Sequence, residues 1–95
     1  MNRDNSVTNY EDHRIAMVIA DLYLTGQILE DVPDSIRDSL RIVYREQLST
    51  IHKVDMDLME QDIEIVQGKP SRYVSVHKIV RDSIAAYEAR YKLRK

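Results

Sequence analysis

Gly26, Pro33, Gly68 and Pro70 are the only glycines and prolines in the chain, and the 34 residues between Pro33 and Gly68 contain neither. These two residue types punctuate a chain more strongly than any others. Their placement divides it into an N-terminal arm, one long central segment and a C-terminal arm, each helical in character. The fold class expected is all-α: a three-helix protein whose long central helix and C-terminal helix form an antiparallel hairpin, with the N-terminal helix packed across it. Residues 1–7 read as a flexible tail and residues 8–95 as a single helical domain.

The local signals support that division. Thr8 and Glu11 have the Thr-x-x-Glu spacing of a capping box, in which hydroxyl and carboxylate satisfy each other's backbone amides. Ile15–Leu24 is apolar except for Asp21, and a helix apolar nearly all round is buried on several sides. Ile15, Ile19, Leu22 and Leu29 keep a helical rhythm through Gly26, so this helix ends either at the glycine or near Glu30. Pro33, flanked by Asp31 and Asp34, suits a helix start, because proline is tolerated in the first turn and acids there complement the dipole. The central segment carries Ile36, Leu40, Val43, Ile51, Val54 and Leu58 on a 4–3 rhythm that shifts to Leu58, Met59, Ile63 and Val66. Gly68 and Pro70 stop it. In the last arm Tyr73, His77, Val80, Ile84, Tyr87 and Tyr91 step by 4, 3, 4, 3 and 4, which puts all six on one helical stripe.

A size conflict follows. An unbroken helix over residues 34–67 would be about 51 Å long, whereas a compact chain of this length has a radius of gyration of about 12 Å and a diameter of roughly 32 Å. The leading expectation is therefore one long helix that projects and meets a second copy. The alternative is a break at Ser49–Val54, where β-branched Thr50, Ile51 and Val54 mix with polar Ser49, His52 and Lys53.

Composition narrows the function classes. Apolar residues make up 43% of the chain and charged residues 32%, too much apolar content for a disordered segment. The absence of cysteine excludes disulfides and thiolate metal sites. The polar start of the chain has no apolar signal-peptide core, and the longest apolar run is too short to cross a bilayer. A cytoplasmic protein without a membrane partner is expected. Six tyrosines supply all the aromatic bulk, and their hydroxyls favour half-buried faces of the kind found at interfaces.

The net charge of −2 conceals an asymmetry: residues 55–67 carry five acids and no base, whereas residues 71–95 carry seven bases and two acids. Arg37, Arg41 and Arg45, four apart, form a basic row with two readings, a phosphate footprint or a solvated face. Asp55, Asp57, Glu60, Asp62 and Glu64 spread around a helix rather than converging from a loop. They suit ion pairs with Arg72, Lys78 and Arg81 of the returning arm better than a metal. His77 reads as a core histidine bonded to a carboxylate or a Tyr hydroxyl, with a proton-sensitive switch as the sharper alternative. His13 and His52 read as exposed. The tyrosines of the last arm, interleaved with Arg72, Lys78, Arg81 and Arg90, suit a helix–helix seam ahead of a nucleotide-stacking face. No nucleophilic triad, glycine-rich phosphate loop or paired-carboxylate site is visible, and neither catalysis nor a cofactor is expected.

The stretch Thr50-Ile-His-Lys-Val54, a following helix, Gly68 and the run Val76-His-Lys-Ile-Val-Arg-Asp-Ser-Ile84 together resemble a ribbon-helix-helix DNA-binding domain over at most residues 49–92. The resemblance implies a strand paired with its dimer mate in the major groove, with Thr50, His52 and Lys53 as base-contacting positions. Alternation in that stretch is poor, and the spacing from the turn to the second helix is longer than the family's pattern.

The function expected is that of a small self-associating helical adaptor or regulatory protein that binds itself and another protein. Tyr73, His77, Val80, Ile84, Tyr87 and Tyr91 are its candidate interface residues. The alternative is a DNA-binding regulator using Arg37, Arg41, Arg45, Arg72, Lys78, Arg81 and Arg90. A weaker alternative is an oligomer that holds a small anion such as a nucleotide between its Tyr and Arg faces.

Overall fold

The computed structural model describes the backbone of residues 7–92 and the side chains of residues 7–90. It contains four helices, α1 (Asp12–Glu30), α2 (Asp34–His52), α3 (Met56–Gln67) and α4 (Pro70–Lys92). The expected all-α class holds, but the three-helix arrangement with an unbroken central helix does not. Residues 1–6 of the expected tail, together with Arg94 and Lys95, lie outside the described residues.

The central segment breaks at Lys53, whose backbone is left-handed at φ 55°, ψ 50°. The Val54 amide donates to the Ser49 carbonyl at 3.1 Å, and the Ser49 hydroxyl donates to the Val54 carbonyl at 2.6 Å. This six-to-one closure satisfies carbonyl and amide groups that the end of α2 would otherwise leave unpaired. Asp55 then caps α3, its Oδ1 accepting from the amides of Asp57 at 2.9 Å and Leu58 at 3.3 Å. The two pieces are about 28 Å and 18 Å long, so the conflict between helix length and domain size disappears, and with it the size argument for a second copy. No strand forms among the described residues: Thr50 and His52 belong to α2 and Lys53 is its cap, so the strand implied by the ribbon-helix-helix resemblance is absent.

Helix α1 runs through Gly26 to Glu30. Its N-cap is Glu11, with no side-chain cap bond, so the capping box expected from Thr8 is not made. The Thr8 hydroxyl instead donates to the Tyr10 carbonyl at 2.6 Å and accepts from Arg72 at 2.8 Å. At the other end, Arg37 donates to the carbonyls of Leu29 and Val32 at 3.1 and 2.9 Å and pairs with Asp34 at 3.0 Å. This clamp closes α1 and α2 into an antiparallel hairpin. Its far end is tied by His52 Nε2 and Asp21 Oδ2, 2.6 Å apart.

Helix α1 is the centre of the molecule: it touches each of the other three helices, whereas α2 and α4 do not meet. Ile15, Ala16, Val18 and Ala20 are buried against Met59 and Val66 of α3, Val76 and Val80 of α4, and Leu48 of α2. Near the start of α4, Tyr73 and Val76 share a cavity with Ile63 and Val66 of α3. Helix α4 then follows α1 in the same direction, with Arg72 bonded to Asp12 and Val80 lying beside Ile19. Its principal partner is therefore α1, and the long central-to-C-terminal hairpin expected from the sequence is not formed. The molecule is elongated, 53 × 32 × 22 Å.

Among the described residues one acidic side chain is fully buried. Asp62 of α3 accepts from the amide and the side chain of Asn9 at 2.9 and 3.0 Å and from the Tyr10 amide at 2.8 Å. In return the Tyr10 hydroxyl accepts from the Asp55 amide at 2.8 Å. These bonds lock the segment before α1 onto α3 and leave no buried side-chain polar atom unpaired among the described residues.

Candidate functional site

Helices α1 and α4 run together at their N-terminal ends and leave an open groove further along. Its first part, about 380 Å³, is walled by Leu22 and Tyr23 of α1 and by Tyr73 and His77 of α4, with Ile63 and Val66 of α3 at its base. Its second part, about 600 Å³, continues past Val80 to Arg81, Ile84, Ala85 and Glu88. Ile19, Tyr23, His77 and Val80 line both parts, so the two form one trough. From Tyr73 to Glu88 it spans about 22 Å of helix.

The trough exists because the packed face of α4 is not the tyrosine stripe. Val76 and Val80 are buried, with Ile79 and Ile84 half-buried, whereas Tyr73 and Tyr87 are exposed at 43% and 41%. The stripe lies about a sixth of a turn off the core line, and its rings form a wall rather than a seam. Of the six candidate interface residues, Val80 is core, Ile84 is at the edge, and Tyr73, His77 and Tyr87 are open to solvent. The side chain of Tyr91 lies outside the described residues.

His77 is exposed and stacks on Tyr73, ring centroids 5.4 Å apart and planes 12° from parallel, which corrects the reading of a core histidine. His52, read as exposed, is largely buried in its bond to Asp21.

The basic residues divide in two. Arg37 clamps the α1–α2 turn, and Arg45 bridges α2 to α3 through Asp57 at 2.7 Å and Glu60 at 3.2 Å. Hydrogen bonds donated to Glu60 and then to Asp57 raise the Arg45 pKa above its already high ordinary value. Arg72 binds Asp12 and Thr8. Arg41, Lys78, Arg81 and Arg90 are exposed. The row from Arg37 to Arg45 is thus split, with both its ends committed to internal bonds. Among the described residues no ion pair joins the acidic block to α4: Asp57 and Glu60 serve Arg45, and Asp62 serves the N-terminal segment. That overturns the expected match between the block and Arg72, Lys78 and Arg81. No group of His, Asp and Glu among the described residues is placed to hold a metal ion.

Sequence reasoning missed the place of Asp62, read as one member of an acidic block suited to ion pairs with the returning arm. The signal was present, since Asp62 falls on the apolar line of Met59, Ile63 and Val66, where a carboxylate must find donors.

Comparison with protein-family models, with curated proteins and with solved structures finds no match for this chain. No helix among the described residues is long and apolar enough to cross a membrane.

Proposed function

We propose that this chain is a small self-associating adaptor or regulatory protein that works by binding proteins along the α1–α4 trough rather than by catalysis. The observation that carries this reading is the trough itself. Its floor is aliphatic, and its walls include Tyr23, Tyr73 and His77, ring side chains held in place by the helices that bear them. Aromatic residues around an apolar centre are the usual composition of energetic hot spots, and an apolar trough between two helices accepts the apolar face of a third. Tyr23 is half exposed, with its hydroxyl accepting from Gln27 at 2.9 Å, so it offers area at small cost in side-chain entropy. The commitment of Arg37, Arg45 and Arg72 to internal bonds supports protein binding over a nucleic-acid footprint.

The test is light scattering of the wild-type chain beside Tyr23→Lys, which puts a charge into the trough wall at an exposed position. The wild type is expected to associate at micromolar concentration, and the variant to keep its helical circular dichroism and melting temperature while losing association. A wild-type monomer, or a variant that associates as the wild type does, would refute the proposal.

A further inference from the structure

We infer that the occupant of the second part of the trough is α4 of another copy of this chain, antiparallel and related by a two-fold axis between Ile84 and Ala85. This rests on the reading of the trough as a protein-binding site and adds the identity and register of what fills it.

The argument comes from charge and spacing. Arg81 and Glu88 both line the trough, with Ile84 and Ala85 between them. Seven residues apart, they lie within about 20° of each other around the helix and about 10.5 Å apart along it. Neither forms an ion pair among the described residues. A partner that satisfies this surface must present an apolar centre with a negative group opposite Arg81 and a positive one opposite Glu88. The same face of α4, turned end for end, has that pattern. In an antiparallel pair centred between Ile84 and Ala85, Arg81 of each copy faces the partner's Glu88, and the contact repeats by symmetry, as a closed two-fold interface requires. A parallel pair would set Arg81 against Arg81 and Glu88 against Glu88. An antiparallel pair shifted by four residues either way would set Arg81 opposite Ile84 or position 92 and Glu88 opposite His77 or Ala85, so the reciprocal pairing of Arg81 with Glu88 is lost.

Packing allows the approach. Ala85 lines the trough and is exposed, as is Ala89 one turn further along α4. Small side chains at a crossing let helix axes come within about 8 Å. Ile19 and Tyr23 of α1 line the same space and would flank the incoming helix.

The experiment is a charge swap read by sedimentation equilibrium. Arg81→Glu and Glu88→Arg singly put like charges face to face at both symmetric contacts and are each expected to weaken association by about tenfold or more. The double variant exchanges the signs and is expected to return it to near the wild-type value. A second readout uses the absence of cysteine from the chain. Under mild oxidation, Ala85→Cys at the axis is expected to give a covalent dimer. Val74→Cys, exposed but about 31 Å from its mate in this register, is expected to give none. Association that ignores the single reversals, or that the double variant fails to restore, overturns the register while leaving self-association standing. A wild-type monomer at every concentration overturns both.

Discussion

Asp62 holds Asn9 across 53 residues of sequence: one carboxylate oxygen accepts both the backbone amide and the side-chain amide of Asn9, at 2.9 and 3.0 Å. The other oxygen takes the Tyr10 amide. A fully buried carboxylate with three donors is a structural anchor, and removing it leaves those donors unpaired.

Asp62→Ala is therefore expected to cost about 3 kcal/mol, or about 10–20 °C in melting temperature for a domain of this size. Asp62→Asn, which keeps the shape but turns an NH₂ towards one of the donors, is expected to cost about 2 kcal/mol. Urea unfolding measures both. A change within experimental error for Asp62→Ala would mean that the segment before α1 is not held by this residue.

Lys53 tests the helix break. A non-glycine residue in the left-handed region carries about 1–2 kcal/mol of strain. Lys53→Gly relieves it and gives back part of the gain as unfolded-state entropy, for a net stabilisation of about 0.5 kcal/mol. Lys53→Val, β-branched at the same φ, is expected to destabilise by about 1 kcal/mol or more. The reverse order in chemical denaturation would indicate that α2 continues into α3.

Gly26 lies inside α1, and a Cβ added there would meet no other atom within 4 Å. Gly26→Ala is expected to stabilise by about 0.5–1 kcal/mol through helix propensity alone. A loss of stability in a thermal melt would show that α1 does not run through this position.

Arg72 links the start of α4 to the start of α1 through Asp12 and Thr8. Arg72→Ala is expected to cost about 2 kcal/mol. Arg72→Lys is expected to recover less than half of that, because an ammonium cannot reproduce a guanidinium's several directed donors. Full recovery by lysine would reduce the contact to simple charge attraction.

Much of this architecture was legible in the residues. The apolar rhythm of Ile15–Leu24 marked α1 as the buried helix, and Gly68 with Pro70 marked the end of α3 and the start of α4. The stretch Ser49–Val54 was legible as the place where the segment would break, as the alternative to one long helix, but not as the outcome that wins. The break needs neither glycine nor proline, because Lys53 takes the left-handed turn and Asp55 supplies the next cap. Those are conformational choices that a pattern of breakers does not encode.

The trough was only half legible. The six-residue stripe from Tyr73 to Tyr91 pointed to the right helix, yet the buried line runs through Val76 and Val80, so Tyr73 and His77 became its wall. Which flank of a broad apolar stripe is covered depends on the partner helix. That partner is α1, tied to α4 by Arg72–Asp12 and seated on α3 by Asp62–Asn9, contacts between residues far apart in sequence. For the same reason the ion-pair partners of the acidic block could not be assigned from net charge alone.

The central claim, that this chain works by meeting another copy of itself, is tested most directly by sedimentation equilibrium of the wild-type protein over a range of concentrations. The expected result is a mass of twice 11.2 kDa that falls towards the monomer value on dilution. A constant 11.2 kDa at every concentration would contradict it.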